Sequence, residues 1–188
     1  MITARPSPPR ARSTPGRLLA DRRGIAAVEF ALLLPVIVTL YFGSVEVSQA
    51  IAVQRMVTLA ASTVANLVTQ YPSISAGQTM PDILNAASAV LTPYPVSSAV
   101  MRVSLISIDN SGKATVTWSQ ALNGSGLPVG QVMTIPASLN TPNTSVVFGE
   151  TTYAYTAAVD FIKFGTFNLS SSVYMFPRSP SGTITLTP

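Results

Sequence analysis

GIAAVEFALLLPVIVTLYFGSVEVSQAIAVQRMVTLAASTVANLVTQ, residues 24–70, holds no helix breaker other than Pro35 and changes character halfway along. Its first part, residues 24–43, carries a single charged group, Glu29. At about 1.5 Å of rise per residue it spans about 30 Å, the thickness of a bilayer core. In the second part Val53, Met56, Val57, Ala60, Val64, Leu67 and Val68 recur at spacings of three and four, with Arg55, Thr58, Ser62, Asn66 and Thr69 opposite them. That register is helical and amphipathic. Tyr71-Pro72 closes the run, because the residue before a proline is pushed out of the α region. The expectation is one helix over 25–70, about 70 Å long. Residues 25–43 form its transmembrane part, and residues 44–70 form an amphipathic extension that needs a surface to lie on.

Upstream, residues 1–24 read MITARPSPPRARSTPGRLLADRRG, rich in Pro, Ser and Arg. Such a segment has too little apolar surface to offset the entropy of ordering and is expected to be a disordered basic leader. Six of the 11 basic residues lie in the first 23 positions against one acid, Asp21. From Gly24 onward five basic residues face six acids, a formal net charge of −1. The basic pI therefore belongs to the leader, and no nucleic-acid partner is expected. Arg22 and Arg23 precede the apolar run and no Lys or Arg follows it until Arg55, so the positive-inside rule puts the N-terminus in the cytoplasm and the bulk of the chain outside. With no His and no Cys, triads built on His, Cys nucleophiles, thiolate or imidazole metal sites and disulfides are excluded, and neither a metal nor a cofactor is expected.

Downstream, residues 71–188 read as a small α+β domain. Pro81-Asp82 opens a short helix through Leu91, closed by Pro93 and Pro95. AVMRVSLISI (99–108) and KATVTWS (113–119) flank the turn Asp109-Asn110-Ser111-Gly112 as a β-hairpin. NGSGLPVGQ is a loop, VVFGETTYAYTAAVDF (146–161) a half-buried strand, and a last pair near 162–169 and 172–176 completes an antiparallel sheet of about four strands. One face of that sheet needs a cover, and the outer half of the long helix supplies it.

No catalytic constellation emerges. Asp82 reads as a helix-start residue, Asp109 as a turn residue, and Glu150 and Asp160 as solvated strand positions. Trp118, Tyr153 and Tyr155 read as sheet core and rim. Asn123, Asn143 and Asn168 begin glycosylation-type triplets, a pattern of little weight in a chain so rich in Ser and Thr.

Attention therefore falls on Arg22-Arg23-Gly24-Ile25-Ala26-Ala27-Val28-Glu29-Phe30. Basic charge, a glycine and then a carboxylate five residues into the apolar run resemble the class III signal of type IV pilins and pseudopilins. A membrane peptidase needs a small, flexible residue before the scissile bond, which Gly24 supplies. An intramembrane carboxylate such as Glu29 costs roughly 2.5–3.5 kcal/mol at a helix centre and calls for a partner. The longer string, with Phe30, the leucines, Pro35, Gly43 and a second acid, Glu46, resembles the TadE-like pseudopilins of the tight-adherence (Tad or Flp) pilus. Val116-Thr-Trp118-Ser, Glu150-Thr-Thr-Tyr153-Ala-Tyr155 and Met175-Phe-Pro177-Arg178 extend the similarity over most of the 164 residues after Gly24.

The resemblance implies a pilin-like fold and a minor, non-enzymatic pseudopilin, a single-pass protein of the bacterial inner membrane with its C-terminal domain in the periplasm. It implies cleavage between Gly24 and Ile25 by a prepilin peptidase, and a meeting of Glu29 with the freed amine of a neighbouring subunit. The implied partners are that peptidase, other pseudopilins, the Tad secretion and assembly machinery and the lipid bilayer, in pilus assembly, adherence and biofilm formation. The globular part is larger than a major Flp subunit needs, and no large adhesion domain of the TadG kind is present. Two other readings stay open: an uncleaved signal anchor carrying a β-rich binding domain, and a secreted adhesion domain released after Ala50 at Ser48-Gln-Ala50.

Overall fold

A computed structural model describes residues 23–157 and 165–188. The basic leader with Arg22, and the stretch holding Asp160, lie outside the described residues. The 24–70 run forms one helix, α1 (Arg23–Thr69), continuous through Pro35. Serine and threonine hydroxyls along it bond back to carbonyls of the preceding turn, as in Thr39 Oγ1 to the Pro35 oxygen at 2.7 Å and Ser48 Oγ to the Ser44 oxygen at 2.8 Å. Such back-bonding lets polar side chains sit on an apolar helix without an outside partner. At the far end the Thr69 carbonyl accepts the backbone N–H of Arg178 at 2.9 Å, which satisfies one of the carbonyls a helix C-terminus leaves over.

Beyond α1 come β1 (Ser73–Ser75), α2 (Thr79–Ser88) with a 3₁₀ turn Ala89–Leu91, β2 (Ala99–Ile108), β3 (Ala114–Leu122), β4 (Thr144–Thr156), β5 (Thr166–Met175) and β6 (Thr185–Thr187). Four strands form an antiparallel sheet in the order β3-β2-β4-β5, and α1 lies along β4 and β5. The fold is thus α+β, a long N-terminal helix on a small antiparallel sheet, as expected. The hairpin turn is also as read: Gly112 sits at φ 81°, and Asp109 accepts from the Ser111 and Lys113 amides and the Ser111 hydroxyl.

The core follows from the stripe on α1. Val53, Val57, Ala60, Val64 and Val68 are fully buried against Met101, Val103, Leu105, Val147 and Tyr153 of the sheet, with Met80, Leu84 and Leu91 closing the side. Helix and sheet approach closely at Gly149. A Cβ there would stand 2.7 Å from the Ala61 carbonyl oxygen and 2.9 Å from the Ala65 side chain, so a glycine in mid-strand is what lets the helix settle.

The structure departs from the sequence reading in four places. In place of two closing strands a single β5 runs from Thr166 to Met175, because Ser170, Ser171 and Ser172 pair in register with Thr152, Thr151 and Glu150 and need not turn. The other face of the sheet is apolar too: Ile106, Ile108, Val146 and Phe148 are covered by Ile135, Leu127 and Met133 of the long loop between β3 and β4. The chain end returns as β6 to pair in parallel with β1, and Trp118 Nε1 donates to the Ile184 carbonyl at 2.9 Å. Glu150, read as solvated, is half-buried and joined to Arg102 across β2 and β4 at 2.7 Å.

Candidate functional site

The motif positions all lie on α1, and the helix divides them between two environments. Residues 24–41 leave the domain altogether: Ile25, Val28, Phe30, Leu32, Leu33, Val36, Ile37, Leu40 and Tyr41 are all exposed, Leu32 to 71%. The helix is long and apolar enough to cross a membrane, and none of its most apolar window is buried by the protein's own domain. Glu29 stands on this bare half, bordering a shallow groove with Gly24, Ile25, Val28 and Leu32, and it has no ion pair among the described residues.

Gly24 has no role in the fold that its geometry reveals. A Cβ built on it meets nothing within 4 Å, and its φ is not in the left-handed region. The Gly24–Ile25 bond lies in helical backbone, next to Arg23, the first described residue of α1. Phe30 is exposed on the bare half, Pro35 sits inside the helix, and Gly43 marks the junction where the helix meets the domain.

Glu46, three residues on, is the first buried residue along α1, at 5% exposure. It lies 17 residues from Glu29, which is about 26 Å along the axis and about 100° around it, so the two acids of the motif never share a site within one chain. With Val47, Ala50, Tyr155, Ala157 and Phe167 it lines a notch of about 420 Å³ between the helix and the near end of β4 and β5. Tyr155 is buried, stacks edge-on against Phe167 with ring centroids 5.3 Å apart, and its hydroxyl has no hydrogen-bond partner among the described residues. Burial raises the Tyr155 phenol above its ordinary pKa, and the neighbouring Tyr94, Glu46 and Tyr153 add to that rise.

The sequence reading placed Tyr153 and Tyr155 in the sheet but did not join Tyr155 and Phe167 to Glu46. Their period-two spacing marked the inward face, while the pairing with a helix residue more than 100 positions away left no local signal. The Ala50–Ile51 bond, the alternative cleavage point, lies inside continuous helix with Ala50 packed on the core. No group of His, Cys, Asp and Glu suited to a metal occurs among the described residues.

No curated protein and no solved structure matches the chain. A family model does, over residues 24–66, which take in Gly24, Ile25, Glu29, Phe30, Pro35, Gly43 and Glu46 and almost the whole of α1. That model describes TadE-like proteins, to which this helical segment is similar.

Proposed function

We propose that the protein is a minor pseudopilin of Tad pilus assembly, held in the inner membrane by residues 25–43 with its domain, residues 71–188, in the periplasm. The observation that carries the reading is the bare half of α1, an apolar helix with one carboxylate that projects from a well-packed domain within a TadE-like segment. A glycine without a packing role at position 24 supports cleavage between Gly24 and Ile25 by a prepilin peptidase, with Arg22 and Arg23 holding the leader on the cytoplasmic side. Glu29 then receives the Ile25 amine of a neighbouring pseudopilin, an ion pair that offsets the cost of both charges in an apolar core. The partners are that peptidase, other pseudopilins, the Tad machinery and the bilayer; the output is surface attachment and biofilm.

The test is a pair of chromosomal variants in the native host. Gly24→Val should abolish processing, and Glu29→Ala should be processed normally yet leave the cells without surface pili. Normal piliation in both variants contradicts the reading.

A further inference from the structure

The notch at Glu46 lies at a defined height. It opens about 5 Å beyond Gly43, where the apolar run ends. Strands β4 and β5 run alongside α1, since Tyr155 and Phe167 lie by Glu46 and Ala50 while Gly149 lies by Ala61. The sheet therefore presents one end toward the apolar half of the helix, and the described residues of that end are rich in aromatic side chains. Among the described residues around the notch and the adjoining hollow under Tyr94 and Tyr153, Glu46 alone is charged; Asp160 and Lys163, in the connection between β4 and β5, lie outside the described residues. Phe167 is 39% exposed there, and Tyr41 and Val47 are exposed on the helix beside it. The charged hairpin Asp109–Lys113 sits at the opposite end of the sheet, because Ala99 pairs with Tyr153 and Ile108 with Thr144, about 30 Å away along β2.

We propose that this end of the domain is seated in the membrane leaflet on the domain's side, with a phospholipid acyl chain in the notch lined by Ala50, Tyr155, Ala157 and Phe167. The inference rests on the reading that residues 25–43 cross the bilayer: helix and notch are continuous, so the span itself brings the notch to the lipid. Aromatic rings at such a level match the interfacial preference of Tyr and other aromatic residues.

The native chain has no Cys, so single labels are direct. Val36→Cys, Phe167→Cys, Thr166→Cys and Asn110→Cys, each carrying a polarity-sensitive fluorophore, would be reconstituted as full chains into phosphatidylcholine vesicles containing phospholipid with a nitroxide on its acyl chain. The expected result is strong quenching at positions 36, 166 and 167, several-fold above that at 110, and unchanged at high dilution of protein in lipid. Quenching at 36 with 166 and 167 no different from 110 overturns the seating and leaves the anchor intact. No quenching at 36 defeats the anchor itself. Protection at 166 and 167 that disappears on dilution shows that another copy of the chain covers the notch, which also overturns the proposal.

Discussion

The two halves of α1 share one continuous helical backbone, missing only the hydrogen bond that Pro35 cannot donate, yet they answer to different solvents. From Glu46 to Thr69 a stripe of apolar residues, Val53, Val57, Ala60, Val64 and Val68, is buried against the sheet, while Val47, Ile51 and Leu59 stand exposed off it. From Gly24 to Gly43 the apolar residues go all the way round, and nothing in the described domain touches most of them. A helix hydrophobic all round is stable only inside something larger, a membrane or a bundle of like helices. The difference teaches where each half's selection acts: packing accounts for the residues of the second half, while Gly24, Glu29 and the bare leucines have no internal reason to be what they are.

The contrast is open to attack by mutation. The largest effect is expected for Met101→Ala, which empties a fully buried site beneath the second half of α1 and should lower stability by about 2–5 kcal/mol. Thermal and denaturant unfolding of the detergent-solubilised chain reads it. Its counterpart in the bare half, Leu33→Ala, should leave the domain's unfolding unchanged within about 0.5 kcal/mol, and an equal loss at both positions breaks the comparison. Next comes Gly149→Ala, whose new methyl meets the Ala61 carbonyl and should cost about 1–3 kcal/mol, whereas Gly24→Ala should cost the fold nothing.

Smaller still is Glu150→Gln at the half-exposed Arg102 pair, expected to cost under about 1 kcal/mol and to fade as salt is added, as a matched series of melts would show. The smallest effect belongs to Asp109→Asn. Hydrogen bonds from the Ser111 hydroxyl and the Lys113 amide hold the Asp109 carboxyl below its ordinary pKa. Its contribution is thus present above the ordinary carboxylate value and lost as the pH falls through the lowered one. The variant should flatten the acid side of a melting-temperature profile slightly and leave neutral pH almost untouched.

The helix was legible because its signals are local: spacing, length, and Tyr71-Pro72 at the end. The β2 boundaries, 99–108, came from β-branched alternation next to an Asp-Asn-Ser-Gly turn for the same reason. What stayed hidden depends on partners distant in sequence. Ser170–Ser172 looked like a turn and became mid-strand because β4 supplies a ladder. The NGSGLPVGQ loop looked like a spacer, yet with the residues up to Ile135 it covers a second apolar face. In the candidate site Glu46 was singled out from the motif, but its burial beside Tyr155 and Phe167 required the sheet to bring those residues round.

The central claim, that the bare half of α1 begins as a processed prepilin helix, is tested most directly by the N-terminal sequence and intact mass of the protein recovered from membranes of its native host. The account predicts a chain that begins at Ile25. A chain that still begins at Met1 would contradict it and leave a signal-anchored envelope protein; one beginning at Ile51 would contradict it and leave a secreted domain without Glu29 or Glu46.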